Sequence, residues 1–164
     1  MIVLGIDPGT VRVGYGVIAK KNGELLRLES GLIKLPDEKY ETRLVALEGK
    51  LRELIRQTKP DRVGLERLFF VRNQKTAMRV AEARGVILKT VVEEAIPFKE
   101  FNPKEVKLAV TGDGNAGKQA VANMVKIILK LPPEKMIDDV SDALAIAITG
   151  LQIVPHRQLF FGEQ

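Results

Sequence analysis

The chain has 164 residues, with 26 Lys and Arg against 21 Asp and Glu, a single histidine and no cysteine. That length favours one domain, and 45% hydrophobic with 29% charged residues is typical of a globular protein. The absence of cysteine excludes disulfides, thiolate metal sites and cysteine nucleophiles, and one histidine argues against a histidine-rich zinc site or a Ser-His-Asp triad. Any catalysis should therefore use carboxylates, hydroxyls, lysines or a metal ion held by oxygen.

Charge and hydropathy also bear on location and partners. No stretch reaches the roughly 18 apolar residues that a membrane span needs, and residues 1–5 lack the basic region and cleavage site of a signal peptide. We therefore expect a cytoplasmic protein with no membrane partner. The net charge is +5, and residues 67–130 hold 12 Lys and Arg against 6 Asp and Glu. A basic middle segment fits a polyanionic partner, although solvated helix faces would give the same excess.

Strand patterns come first in chain order. Residues 2–6 form a short apolar run, which is typical of a strand buried on both faces, and a turn follows at Asp7-Pro8-Gly9-Thr10. Extended patterns over residues 14–19 and 25–35 are separated by a hairpin signal at residues 21–23. These three segments predict an antiparallel meander.

From residue 40 the hydrophobic period becomes helical. The predicted helix over 40–58 ends near Pro60, and the short strand over 62–66 should be parallel to the first strand because it returns through a helix. The elements predicted after it are a helix over 73–94, a strand over 97–101, a short helix opened by Asn102-Pro103, and helices over 118–131 and 138–151. We expect an α/β fold with a mixed five-stranded sheet flanked by helices over residues 1–154, and a flexible tail over 155–164.

Two acidic residues fall at strand ends. Asp7 ends the first strand and Glu66 ends the fourth, so parallel neighbouring strands would bring the two carboxylates side by side at the edge where α/β sheets bind ligands. Two bare carboxylates that close repel each other unless a cation lies between them, and hard divalent cations prefer oxygen ligands. The alternative is that Asp7 forms an ordinary turn and Glu66 an ordinary ion pair.

Three more acids open the last predicted helix. Asp142 shares a helix face with either Asp138 or Asp139, and the rest of that helix is apolar enough to require burial. Acids in a first turn also complement the helix dipole, which is a sufficient reason for one aspartate but a weaker one for three. Four such carboxylates would suit two metal ions about 4 Å apart that act on a phosphodiester.

Several motifs agree with a known family in order and spacing from residue 2 to about 150. They are Leu4-Gly5-Ile6-Asp7-Pro8-Gly9-Thr10 with Gly14-Tyr15-Gly16-Val17, Glu66-Arg67-Leu68-Phe69 followed by Asn73, Ala83-Arg84-Gly85-Val86, Lys107, residues 112–118, and residues 139–147. On these segments the chain resembles the RuvC Holliday junction resolvases, which have the RNase H-like nuclease fold.

The resemblance implies a homodimeric endonuclease that makes paired, metal-dependent nicks in opposing strands of a four-way DNA junction during recombination and repair. It implies two Mg²⁺ ions per active site, with Mn²⁺ as a substitute, and a branch-migration motor as a partner. The metal ligands carried over are Asp7, Glu66, Asp139 and Asp142, because the family's Asp-x-x-Asp spacing selects Asp139 over Asp138. The alternative function is that of an RNase H-fold nuclease acting on structured RNA.

The resemblance also assigns residues around the acids. Lys107 and Lys118 match family lysines near the active site, where they can neutralise phosphate charge. Phe69 matches an aromatic that stacks on an unpaired base, although it could instead be a hydrophobic staple for the following helix. The predicted DNA-binding residues are Phe69, Arg72, Asn73, Lys75, Lys107 and Lys118. The helix over 73–94, with Ala77, Val80, Ala81 and Val86, is the predicted dimer interface.

Overall fold

A computed structural model describes residues 1–9, 11–36, 39–67 and 74–152, except for the side chains of 74–76. The elements in chain order are β1 Ile2–Asp7, β2 Arg12–Lys21, β3 Glu24–Lys34, α1 Tyr40–Thr58, β4 Arg62–Glu66, α2 Gln74–Glu93, β5 Phe98–Phe101, α3 Pro103–Thr111, α4 Lys118–Ile128 and α5 Asp138–Gly150. This order confirms the one predicted from the sequence. The predicted tail over 155–164 lies outside the described residues.

One mixed sheet contains all five strands, in the order β3-β2-β1-β4-β5. The first three strands pair antiparallel, as the predicted meander requires, and β4 pairs parallel with both β1 and β5. Ile6 of β1 is level with Leu65 of β4, so the next residue of each strand, Asp7 and Glu66, emerges at the same sheet edge. The parallel pairing is the reason that two acids 59 positions apart in the chain become neighbours.

Helices cover both faces of the sheet because the side chains of β1 alternate between two apolar cores. Val3 belongs to the core that β1 shares with α3, α4 and α5, whereas Leu4 belongs to the core that it shares with α1 and α2. Both side chains are fully buried. The sequence pattern of β1, apolar at every position from 2 to 6 apart from Gly5, reflects this burial on two sides.

Helix α5 lies against the sheet at unusually short range because glycines face it. A Cβ atom on Gly5 would be 2.1 Å from the Ala143 carbonyl oxygen, and one on Gly14 would be 2.1 Å from the Asp139 carbonyl oxygen. Every residue from Val140 to Gly150 except Asp142 is buried. The glycines of β1 and β2 therefore set the height of α5 over the sheet, and with it the position of the acids in its first turn.

The element boundaries differ from the predicted ones at a few places. Strand β2 begins at Arg12, two residues before the predicted start. Helix α4 ends at Ile128 rather than at residue 131, because Lys130 has a φ of 52° and the Leu131 N–H donates back to the Lys126 carbonyl at 2.8 Å. That bond is typical of a helix end formed by the backbone itself. In the described part of the chain, every helix is too short or too polar to span a bilayer.

Candidate active site

A cleft of about 250 Å³ opens at the carboxyl ends of β1 and β4. Its lining residues come from five of the ten elements and are Asp7, Glu66, Pro103, Val106, Lys107, Lys118, Val121, Asp139, Asp142, Ala145 and Ile146. All four acids and both lysines selected from the sequence are among them. The structure therefore brings together six charged groups that are far apart in the chain.

Three carboxyl groups in this cleft, those of Asp7, Glu66 and Asp142, have raised pKa values. Burial first, and then the charges of three neighbouring carboxylates, raise the pKa of Asp7 to about 8, with the Lys118 ammonium acting in the opposite direction. Burial is also the main cause that raises the pKa values of Glu66 and Asp142. A hydrogen bond from the Asp7 carboxyl acts in the opposite direction and partly lowers the pKa of Glu66. The cluster thus lacks enough positive charge to ionise fully.

The first turn of α5 separates Asp139 from Asp138. Asp139 lines the cleft, and its carboxylate also forms an ion pair with Arg12 of β2. Asp138 is exposed and lines a neighbouring cavity of about 240 Å³ that contains Ser141 as well. Helix spacing alone left the two aspartates equivalent. The position of α5 on the sheet turns only Asp139 towards the strand-end acids.

Two lysines from different helices complete the cleft. Lys118, the first residue of α4, has its Nζ 3.5 Å from the Asp142 Oδ2. The Asp142 charge is the main cause that raises the pKa of Lys118, so its ammonium stays protonated at neutral pH. Lys107 of α3 is half-buried and lines the same cleft. The two cations lie where a phosphate group that approached the acids would meet them.

The donor chemistry of the cleft is that of a hard-cation site. Carboxylate oxygens are preferred by Mg²⁺ and similar ions, and the raised pKa values of Asp7, Glu66 and Asp142 show a negative cluster without sufficient counter-charge. Among the described residues, no three acidic or histidine side chains are gathered closely enough to enclose one ion. The carboxylate of Asp139 is paired with Arg12, and that of Asp142 faces Lys118. The carboxylates of the cleft therefore have the donor chemistry that a divalent ion requires. Two of them, those of Asp139 and Asp142, already have a cationic side chain of the protein as a neighbour.

The raised pKa of Asp7 predicts how stability depends on pH. The folded protein binds this proton more tightly than the unfolded chain does, so its stability without metal should fall as the pH rises from about 4 to about 8. Asp7→Asn mimics the protonated carboxyl, so this variant should lose less stability than the wild type as the pH rises. At about 1.4 kcal/mol per pKa unit, we expect a gain of at least ~1–2 kcal/mol at pH 8.5, or roughly 3–8 °C in Tm.

Thermal melts in EDTA at pH 5 and pH 8.5 measure this effect. The advantage of Asp7→Asn over the wild type should be largest at pH 8.5 and should shrink towards pH 5, where the wild-type carboxyl is already protonated. Equal differences at the two pH values would contradict the raised pKa. Added divalent metal should raise the Tm of the wild type at pH 8.5, because it stabilises the ionised carboxylates.

Comparisons with known proteins identify relatives along nearly the whole chain. Residues 3–150 match the family model described as crossover junction endodeoxyribonuclease RuvC. The RuvC of Moorella thermoacetica is 42% identical over 159 residues, covering 96% of this chain and 95% of the relative. That of Carboxydothermus hydrogenoformans is 47% identical over 150 residues, covering 92% and 95%. The structure of Thermus thermophilus RuvC in complex with Holliday junction substrate gives a TM-score of 0.85 at 35% identity, covering 91% and 92%.

Fold and cleft together define a nuclease of the RNase H-like class, with acids at the ends of two parallel strands and at the start of a helix. The chain belongs to the RuvC family of crossover junction endodeoxyribonucleases. The family carries a divalent metal requirement, which agrees with the chemistry of the cleft. The fold class and the resemblance expected from the sequence are thereby confirmed.

Some predicted site residues cannot be placed. Phe69, Arg72 and Asn73 lie outside the described residues, and of Lys75 only the backbone is described, in α2. Conversely, no sequence motif marks Arg12 or Ser141 as a site residue. Arg12 stands five residues after Asp7, between the predicted turn over residues 7–10 and the strand predicted from residue 14, and nothing in that pattern indicates that it pairs with a residue more than 120 positions later.

Proposed function

We propose that the protein is a structure-selective endonuclease that resolves four-way DNA junctions by paired, metal-dependent nicks in opposing strands during recombination and repair. The observation that carries this proposal is the cleft lined by Asp7, Glu66, Asp139 and Asp142, in a chain whose fold matches a junction-bound RuvC. No observation favours the RNA alternative. In this proposal the protein acts in the cytoplasm together with a branch-migration motor.

The four carboxylates would hold the metal, which we propose is two Mg²⁺ ions, with Mn²⁺ as a substitute. A divalent ion there would attract the phosphodiester and stabilise the negative charge that develops during cleavage. The parallel strands hold Asp7 and Glu66 at adjacent ends, where burial raises the pKa values of both carboxyls. Above about pH 8 Asp7 loses its proton even without metal, so metal affinity should rise with pH up to that value.

The remaining cleft residues act on the DNA. Lys107 and Lys118 would contact the phosphates beside the scissile bond and offset their charge while the acids hold the metal. We propose that Phe69 stacks on a base at the crossover and that Arg72, Asn73 and Lys75 extend the DNA-binding surface. Stacking of an aromatic on a base is worth roughly 1–3 kcal/mol and tolerates any sequence.

A cleavage assay on synthetic substrates tests the proposed function. The protein should nick opposing strands of a four-way DNA junction in the presence of Mg²⁺ and should be inactive in EDTA. A linear duplex of the same sequence and a four-way RNA junction serve as matched substrates. Equal cleavage of the duplex would refute structure selectivity, and faster cleavage of the RNA junction would support the alternative.

The two adjacent aspartates of α5 give a specific prediction. Asp139→Asn should reduce junction cleavage by on the order of a hundredfold or more, because it removes an oxygen donor from the cleft. Asp138→Asn should stay within a fewfold of the wild type, since Asp138 faces the neighbouring cavity. Both variants neutralise one charge on the same turn, so each controls for the other. The reverse order of activities would assign the site to Asp138.

We propose that α2 forms the interface of a homodimer, because paired nicks in a nearly two-fold symmetric junction need two symmetry-related active sites. Met78 is 65% exposed and Val92 is 40% exposed. They share one helix face with the exposed residues Ala81 and Gly85. Val86, which was also predicted to lie at the interface, is partly buried and packs against the core beneath α2. The outward face is small and apolar enough for close helix–helix packing.

Ala81→Glu is expected to convert the dimer into monomers, because it adds a charge in the middle of this face. Multi-angle light scattering at low micromolar concentration should report the mass of a single chain, and paired nicking should be lost. Ile127→Glu is the control, since Ile127 is 69% exposed on α4, on the other side of the sheet. If the Ala81→Glu protein were folded and still dimeric, α2 would not be the dimer interface.

A further inference from the structure

Asp139 makes a contact that cleavage chemistry does not explain. Its Oδ2 atom is buried and forms an ion pair with the Nε of Arg12, without the geometry of a hydrogen bond. The same side chain lines the cleft with the other three acids. One carboxylate therefore faces both a guanidinium of the protein and the place where a divalent cation would bind.

The backbones of both partners are fixed by close packing. A Cβ atom on Gly9 would be 2.2 Å from the Arg12 carbonyl oxygen, and one on Gly14 would be 2.1 Å from the Asp139 carbonyl oxygen. Arg12 and Gly14 belong to the same strand, β2. The strand that carries the guanidinium is thus the strand on which the first turn of α5 rests. The approach of Arg12 to Asp139 follows from this packing.

The two partners differ in their access to water. The side chain of Arg12 is 53% exposed, whereas that of Asp139 is 28% exposed and its paired oxygen is buried. A half-exposed guanidinium can leave an ion pair at little cost because water replaces its partner. A buried carboxylate oxygen left without any partner is costly. Asp139 therefore requires a positive neighbour, and Arg12 is the exchangeable member of the pair.

We propose that Arg12 is a built-in counter-ion that competes with the divalent metal for Asp139 and leaves this carboxylate when metal is bound. This inference rests on the metal site proposed above. The physical reason is that a guanidinium and a divalent cation repel each other, and that an oxygen in contact with one is less available to the other. Arg12 thereby keeps the buried oxygen paired in the metal-free protein and lowers the affinity of the site for metal.

Metal binding to the DNA-free protein tests the competition without any activity assay. Mn²⁺ alone is titrated, and the free ion is measured by electron paramagnetic resonance. Arg12→Gln should lower the Kd for Mn²⁺ by roughly three- to tenfold, the effect of releasing one half-exposed ion pair and its repulsion. Arg27→Gln is the matched control, because Arg27 is an exposed arginine of β3. An Arg12→Gln protein that binds Mn²⁺ no better than Arg27→Gln would overturn the inference.

A double-mutant cycle separates direct competition from long-range repulsion. In an Asp139→Asn background, Arg12→Gln should no longer change the Kd, since the contested carboxylate is gone. The same tightening with and without Asp139 would show that Arg12 acts only through space, which contradicts the competition. If Asp139→Asn alone left Mn²⁺ binding unchanged, the metal site would be wrong and the inference would fail with it. Weaker binding by Asp139→Asn without any effect of Arg12→Gln would refute the inference alone.

Thermal melts supply a second readout. In EDTA, Arg12→Gln should melt below Arg27→Gln, because the buried Asp139 oxygen loses its partner. With saturating Mn²⁺ the difference should shrink or disappear, since the ion now pairs with Asp139 and tighter binding adds stability. A Tm difference of the same size in EDTA and in Mn²⁺ would mean that the ion pair is purely structural, which would overturn the competition.

Discussion

Asp7→Asn is expected to abolish cleavage of a four-way junction while the protein binds the junction as tightly as the wild type or more tightly. Burial, together with the charges of three neighbouring carboxylates, raises the pKa of Asp7 to about 8, so this carboxyl is ionised at a cost that a bound cation would relieve. A metal ion that relieves this repulsion needs its carboxylate. The amide of asparagine cannot supply that negative charge, and we expect the loss in rate to be on the order of a thousandfold or more.

Binding should respond in the opposite direction from catalysis. A phosphate that enters the cleft in the absence of metal is repelled by the acids, so removing one negative charge should not weaken junction binding. Glu66→Gln and Asp142→Asn should behave in the same way, because both line the same cleft and both have raised pKa values. Cleavage rates with Mg²⁺ and junction affinities in Ca²⁺ or EDTA, measured on the same preparations, separate the two effects.

Asp61→Asn provides a matched control for the loss of one aspartate charge. Asp61 lies just before β4, at the opposite end of the strand pair, and its Oδ2 accepts a hydrogen bond from the Ile2 N–H at 2.6 Å. This variant should keep cleavage per folded molecule close to that of the wild type, even if its stability falls. Ordinary cleavage by Asp7→Asn, or equal losses for Asp7→Asn and Asp61→Asn, would place the catalytic centre elsewhere.

The sequence predicted the element order and the pairing of Asp7 with Glu66 because both depend on local rules. A two-sided apolar run marks β1, and a crossover helix fixes β4 parallel to a strand that precedes it. These rules act through the hydrophobic pattern and chain connectivity, which the sequence contains in full. The helix end at Ile128 was missed because the backbone ends α4 before Pro132 does.

The choice between Asp138 and Asp139 could not be made from helix geometry alone, and only the Asp-x-x-Asp spacing of the family favoured Asp139. It depends on the rotation of α5 about its own axis, and contacts with glycines of β1 and β2 fix that rotation. Lys107 and Lys118 were found only through the family resemblance, since an isolated surface lysine carries no pattern. The Arg12 pair was missed for the same reason, because two residues 127 positions apart meet only after the sheet and α5 have packed.

Gly5→Ala is expected to be among the most destabilising single-methyl substitutions in the chain. The added Cβ would be 2.1 Å from the Ala143 carbonyl oxygen and 2.4 Å from the Ala147 amide nitrogen. Both are backbone atoms of a buried helix, so no side chain can rotate away. Because even well-tolerated overpacking costs about 1–3 kcal/mol, we expect a loss of more than about 3 kcal/mol, or a fall of roughly 6–12 °C or more in Tm.

Gly49→Ala is the matched control. Gly49 lies in α1, where an added Cβ has no neighbour within 4 Å. Alanine in the middle of a helix is preferred over glycine by roughly 0.5–1 kcal/mol, so this variant should melt a few degrees above the wild type. The same chemical change should therefore have opposite signs at the two positions. A Gly5→Ala protein that melts like the wild type would show that α5 does not rest on β1 at this distance.

Gly14→Ala is expected to impair the active site as well as the stability of the protein. Its Cβ would be 2.1 Å from the carbonyl oxygen of Asp139 itself, so the first turn of α5 must move for the protein to fold. A displaced turn carries Asp139 and Asp142 away from Asp7 and Glu66, and a shift of about 1 Å in a catalytic group can cost on the order of a hundredfold in rate. At a temperature where Gly14→Ala remains folded by circular dichroism, Mn²⁺ affinity and junction cleavage should therefore both fall, whereas Gly49→Ala should retain both. If a folded Gly14→Ala protein bound Mn²⁺ as tightly as the wild type, the metal site would not depend on the position of α5.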